Sequence, residues 1–149
     1  RKTTPGLRAL EKYAVRCGGG ANHRFGLSDQ ALVKDNHVAA AGGVAEAYAL
    51  VRELEGSIPV EIEVDTLEGL AAACSAGADV VLVDNFDTDA MRSAVDYRDR
   101  HAPDVLLEAS GGLTVENARS VGATGVDYIA VGELTHSARV LDLGLDLAG

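Results

Sequence analysis

The apolar residues of this chain follow two alternating rhythms. Short runs at Ala31-Leu32-Val33, Ile58–Asp65, Asp79–Asn85, Asp104–Ser110 and Val126–Gly132 have the length and apolar density of strands. Between them lie Ala-rich stretches, Gly43–Leu54, Leu67–Ala76, Thr88–His101 and Thr114–Val121, whose apolar positions recur at helical spacing; in the first, Val44, Ala47, Tyr48 and Val51 share a face. The strands starting at 58, 79, 104 and 126 are 21, 25 and 22 residues apart, the length of a compact strand–helix repeat. Such alternation predicts a parallel sheet with right-handed crossovers, and the unbroken runs Val80–Val83 and Val105–Leu107 suit strands covered on both faces.

Ahead of the repeat, Thr4-Pro5-Gly6 predicts a helix start, with Thr4 as cap and Pro5 in the first helical position. Leu7, Leu10, Tyr13 and Ala14 recur along that helix, Gly18-Gly19-Gly20 end it, and Arg8, Lys12 and Arg16 are expected to carry solvent charges. GADV and GVDY, at Gly77–Val80 and Gly125–Tyr128, repeat one turn from helix into strand. A doubly wound sheet would bring a GxGxxG fingerprint after its first strand, and none is present. The expected fold class is therefore α/β, an incomplete (β/α) TIM-like barrel with parallel strands over residues 1–149, since a full barrel takes about 250 residues.

Composition leaves that picture intact, with 47% apolar and 24% charged residues in 149, ordinary for a globular domain. Charge changes it. The first 37 residues hold seven of the thirteen Lys and Arg but three of the twenty-three acids, a net +4 against −14 for the remainder. The acidic total argues against nucleic acid or an anionic membrane as partner, and the basic segment points to a small anion. Cys17 and Cys74 match no metal spacing and read as reduced thiols, no apolar run reaches the ~18 residues of a membrane span, and the chain reads as cytoplasmic.

In a barrel the reactive groups stand at the C-terminal strand ends. Here those ends carry Lys34 and His37, then Glu63 and Asp65, Asp84 and Asn85, Glu108 with Ser110-Gly111-Gly112, and Gly132 with Glu133–His136. Glycines before helix starts, at Ser110-Gly111-Gly112 and Gly132, suit a phosphate cradle. Glu63 and Asp84 are hard oxygen ligands for Mg2+. Arg1, Lys2, His23, Arg24 and Lys34 are the cations to hold carboxylates or phosphates, whereas Arg98–His101 read as a solvated helix end.

Six motifs in order, RKTTPGLRxLEKYAVxCGGGxNHR, LxKDNH, EIEVD, LxDNF, ExSGG and GVDYIAVGxLTHS, closely resemble the quinolinate phosphoribosyltransferases, the carboxylating nicotinate-nucleotide pyrophosphorylases of NAD synthesis. The resemblance runs from Arg1 to about Asp146. It implies phosphoribosyl transfer from 5-phosphoribosyl-1-pyrophosphate to the ring nitrogen of quinolinate, with loss of carbon dioxide and pyrophosphate. It further implies that Arg1, His23, Arg24 and Lys34 line the quinolinate carboxylate pocket, that Lys2, Glu63 and Asp84 serve the pyrophosphate donor and its Mg2+, and that Ser110, Gly111, Gly132 and His136 hold the ribose phosphate. Members carry an amino-terminal α/β domain that closes the partner's site in a homodimer; this sequence begins after that domain, so the expectation is a partial catalytic barrel whose activity alone is open. Two other readings stand beside it: a Schiff-base lyase using Lys34, and a non-catalytic phosphate-binding or interface fragment.

Overall fold

The computed structural model describes residues 2–55 and 58–147. Five parallel strands, β1 (Ala31–Val33), β2 (Val60–Val64), β3 (Val80–Asp84), β4 (Leu106–Ser110) and β5 (Tyr128–Ile129), lie side by side in chain order. That order decides between the two α/β plans, because a doubly wound sheet reverses direction at a switch point whereas a barrel adds each strand beside the last. Helices α2 (Asp35–Ala41), α3 (Val44–Glu55), α4 (Leu67–Ser75), α5 (Thr88–His101) and α6 (Val115–Gly122) make the crossovers. The chain forms two compact units, one of His23–Val131 with these ten elements, the other of Lys2–Asn22 with Gly132–Gly149. In the second, α1 (Arg8–Cys17) packs on α7 (Glu133–His136).

Strand alternation divides the sheet into two faces with different chemistry. Val60, Ile62, Val64, Val81, Val83, Leu107 and Ala109 join Leu70, Ala73, Met91 and Ala94 of the helices in one buried core. Each fully buried Val, Leu, Ile or Met of this core contributes about 1.5–3 kcal/mol. The register aligns Glu63 with Leu82 and Leu82 with Glu108, so the other face carries acids across three strands. Leu106 and Tyr128 stand on that face and are exposed.

Where the strands begin, one device occurs twice. Asp79 accepts hydrogen bonds from Arg52 Nη1 of α3 (2.9 Å) and from the Val60 amide (3.4 Å). Asp127 accepts from Arg98 Nη1 of α5 (2.6 Å) and from the Leu107 amide (2.8 Å). Both aspartates belong to the GADV and GVDY turns, so the repeated sequence builds a repeated ion pair that ties a helix to the two strands that follow it.

Several expectations are corrected. Arg98 is not a solvated helix-end residue but is buried, also bonding Asp99 (2.6 Å) and the Val105 carbonyl (2.8 Å). Lys12 is likewise buried rather than a solvent charge, while Leu7, Leu10 and Tyr13, which recur at helical spacing, are exposed. Thr4 and Pro5 do not open α1: Thr4-Pro5-Gly6-Leu7 is a hydrogen-bonded turn, closed by the Leu7 amide on the Thr4 carbonyl at 3.0 Å, with Gly6 at φ 80. Pro before Gly favours that turn over a helix start. Gly18–Gly20 do end α1, with the Gly20 amide on Val15 and the Gly19 amide on Arg16. Asp35-Asn36-His37 is the first turn of α2, an element the apolar pattern does not predict, and β5 is shorter than the expected Val126–Gly132.

Candidate functional site

Lys34 is the residue that turns β1 into α2. Its backbone is extended (φ −122, ψ 170), and His37 Nδ1 accepts its amide at 2.9 Å, a capping bond that also leaves the His37 proton on Nε2. The Lys34 side chain forms an ion pair with Glu63 of the adjacent strand. The Lys34 side chain thus faces a carboxylate rather than the apolar wall that a Schiff-base amine needs.

Glu63 and Asp84 line one cavity of about 350 Å³ with Asp35, Asp65 and Thr66. Every polar side-chain atom that these five bring is a hard oxygen, the donor set that suits Mg2+. Asp84 accepts from Asn85 Nδ2 at 2.7 Å, and Asn85 itself has φ 58, unusual for a residue with a side chain. The Asn85 amide bonds the Ser110 carbonyl at 3.0 Å, and Gly111 lies so close that an added Cβ would stand 2.6 Å from the Asn85 nitrogen. Ser110 and Gly111 therefore meet Asp84 and Asn85 at one rim, and Gly111 has a packing reason to be glycine besides any ligand.

His23 and Arg24 come to the same unit from the segment before β1. Arg24 Nη1 bonds the Gln30 carbonyl at 3.2 Å. His23 Nδ1 stands 3.3 Å from Glu108 Oε1 and 3.7 Å from Glu61 Oε2. Glu61 is fully buried and Gln30 Nε2 donates to it at 3.2 Å. Reading strand ends misses Glu61, which stands mid-strand; the signal available is the alternation of Glu61 and Glu63, which places both on one face.

In the second unit, Lys2, Gly132 and His136 are brought together. A Cβ on Gly132 would lie 3.0 Å from His136 Nε2 and 3.5 Å from Lys2 Cδ, and the Thr135 hydroxyl donates to the Lys2 carbonyl at 2.6 Å. Arg1 lies outside the described residues. A wider hollow of about 480 Å³ around Thr3–Ala9 contains none of the expected site residues.

Burial, followed by the neighbouring Glu108, pushes the Glu61 carboxyl up to about 7 from 4.5, against the pull of His23 and Arg24. Near neutrality its carboxyl is therefore partly protonated, and His23, Glu61 and Glu108 each offer an atom within 4.8 Å of the others. Because the folded state binds this proton more tightly, stability declines as pH rises from 4.5 through about 7, and the loss is complete above that. Glu61→Gln keeps the shape without the charge. It is expected to raise stability above pH 7 by about 1–2 kcal/mol and to leave it unchanged below pH 4.5. Thermal unfolding across pH checks this; equal slopes for both proteins would count against it.

Both cysteines are free, Cys17 exposed and Cys74 buried. Among the described residues no helix is long and apolar enough to cross a membrane.

Comparison with known proteins agrees with the geometry. Residues 1–146 match the family model described as quinolinate phosphoribosyl transferase, C-terminal domain. The nicotinate-nucleotide pyrophosphorylase [carboxylating] of Mycobacterium leprae is 58% identical over 147 residues, covering 99% of this chain and 52% of that protein. The human protein of the same name is 42% identical over 148 residues, covering 99% and 50%. Among solved structures, the nicotinate-nucleotide pyrophosphorylase of Ehrlichia chaffeensis superposes with a TM-score of 0.90 at 39% identity, over 98% of this chain and 52% of its own. NadC from Streptococcus pyogenes gives 0.88 at 42% identity, over 95% and 49%. The chain thus spans about half the length of the relatives it matches. Across that span, with parallel strands in chain order, it belongs to the quinolinate phosphoribosyltransferase family, as a carboxy-terminal domain.

Proposed function

We propose that this chain supplies the substrate-binding barrel rim of an enzyme that transfers a phosphoribosyl group from 5-phosphoribosyl-1-pyrophosphate to the ring nitrogen of quinolinate. Carbon dioxide and pyrophosphate leave, and nicotinate mononucleotide is formed for NAD synthesis. The reading includes a homodimer at full length and a cytoplasmic location. The observation that carries it is the Lys34–Glu63 ion pair beside Asp84 at the C-terminal ends of adjacent parallel strands. A cation and two carboxylates so placed serve a substrate that is anionic in one part and metal-chelating in another.

In the first unit, Arg24, His23 and Lys34 bind the two carboxylates of quinolinate, and Ser110 and Gly111 take phosphate oxygens. In the second, Lys2 stabilises the charge of the departing pyrophosphate, and Gly132 and His136 hold the ribose phosphate; Arg1, outside the described residues, is assigned to the carboxylate cations. Glu63 and Asp84 would hold Mg2+, which when bound would stabilise negative charge on the departing pyrophosphate. The sugar becomes cationic as pyrophosphate leaves, and the same two carboxylates offset that charge. Decarboxylation leaves electron density beside the newly charged ring nitrogen, which that nitrogen and the neighbouring cations stabilise; no side-chain nucleophile is needed.

Calorimetry with quinolinate and with the pyrophosphate donor, beside an assay for nicotinate mononucleotide, tests the reading. Binding without turnover would assign the chain to ligand capture alone, and no binding of either ligand would overturn it. Lys34→Ala is expected to weaken quinolinate binding by more than ~1 kcal/mol, the scale of a charge-assisted hydrogen bond. Unchanged affinity would remove Lys34 from the pocket.

A further inference from the structure

Two glutamates on the acid-bearing face of the sheet have no part in the scheme above. Glu61 is completely buried, and among the described residues the geometry gives one of its oxygens, Oε1, no hydrogen-bond partner, although Glu108 stands near enough to raise its pKa. Glu108 is nearly buried, at 12% side-chain exposure, and shares a row with Glu63 through Leu82. Placing two acids together beneath a sheet surface costs stability, and their shared feature is contact with one imidazole nitrogen, His23 Nδ1.

We propose that Glu108, supported by Glu61, is a positioning residue that orients His23 through Nδ1 so that Nε2 addresses a carboxylate of the substrate. The inference rests on the reading of His23 as part of the quinolinate pocket.

An imidazole alone chooses freely between two tautomers, and only one presents an N–H at a given nitrogen. A substrate carboxylate needs a donor. Glu108 Oε1, 3.3 Å from Nδ1, accepts a hydrogen bond from that nitrogen and so fixes the ring with Nε2 turned away from it; a ring with a proton on each nitrogen then donates to Glu108 from Nδ1 and to the substrate from Nε2. Carboxylates placed behind metal-binding histidines orient the ring by the same means. Glu61 adds a second oxygen at 3.7 Å and is pinned by Gln30, so the ring is held from two strands, β2 and β4. Glu63 belongs to Lys34 and so does not compete for the imidazole.

Glu108→Gln is isosteric and removes the charge. Calorimetry on the whole chain is expected to show quinolinate binding about tenfold weaker, the scale of one charge-assisted hydrogen bond. Affinity for 5-phosphoribosyl-1-pyrophosphate should not change. In a His23→Asn background the same substitution should have no further effect on quinolinate. Equal losses for both ligands, or additive losses in the double variant, would overturn the proposal, since a structural role would produce either. Nitrogen-detected imidazole NMR of the ligand-free protein gives a separate reading. The His23 Nδ1–H signature should be present in the wild type and be lost or shifted in Glu108→Gln; an unchanged signature overturns the coupling. Wild-type protein that binds no quinolinate would defeat the pocket reading, while the NMR result still decides whether Glu108 controls His23.

Discussion

Arg98→Ala is expected to lower the free energy of unfolding by about 2–4 kcal/mol, since it removes a buried guanidinium together with its hydrogen bonds to Asp127 and the Val105 carbonyl. Its counterpart Arg52→Ala is expected to cost less than ~1 kcal/mol, as for exposed pairs. The two arginines make the same connection, helix to aspartate at the start of a strand, and differ in burial. Arg98 has a side chain 8% exposed and bonds Asp127, Asp99 and two backbone carbonyls, whereas Arg52 and Asp79 are 41% and 39% exposed. Removing Arg98 leaves Asp127 with the Leu107 amide and deprives the Val105 carbonyl of a donor. Removing Arg52 leaves Asp79 with the Val60 amide and with solvent. Urea unfolding of both variants decides: equal midpoints would mean that burial is not what distinguishes the pairs.

Gly111→Ala is expected to cost about 3–5 kcal/mol, and Gly112→Ala about 1 kcal/mol. Both glycines have positive φ, 95 and 61. Only Gly111 faces an obstacle, since its new Cβ would stand 2.6 Å from the Asn85 nitrogen and 2.7 Å from its Cγ, while nothing lies within 4 Å of Gly112. Relief would require the Asn85 amide to leave the Ser110 carbonyl, and that bond joins the ends of β3 and β4 where Asp84 stands. Phosphoribosyl-pyrophosphate affinity of any Gly111→Ala protein that folds should fall with it. A mild stability loss at Gly111, comparable to that at Gly112, would show that the rim has room to adjust.

The contrast between these residues explains how far the sequence could be read. Lys34, Glu63, Asp84 and Ser110 were legible because parallel strands in a barrel deliver their last residues to one rim, and strand length is written in the apolar pattern. Arg98 was misread because three neighbouring charges, Arg98, Asp99 and Arg100, look like a solvated helix end. Which of them turns inward depends on the distance from α5 to the β5 turn. Lys12 and the exposed Leu7, Leu10 and Tyr13 show the same difficulty in α1: periodicity finds an apolar face but not what that face meets. The first turn of α2 was missed because its start lies in polar residues, and its cap is the unusual His37 side chain on the Lys34 amide.

By itself, the sequence determined the parallel strand–helix repeat, the incomplete barrel and the residues that end its strands, since these follow from local periodicity and from where strands stop. Tertiary structure alone decided which charges are buried, that Lys34 pairs with Glu63, and that Glu61 and Glu108 meet His23. Those outcomes depend on the sheet register and on contacts between residues far apart in the chain, and side-chain periodicity along one element does not encode either.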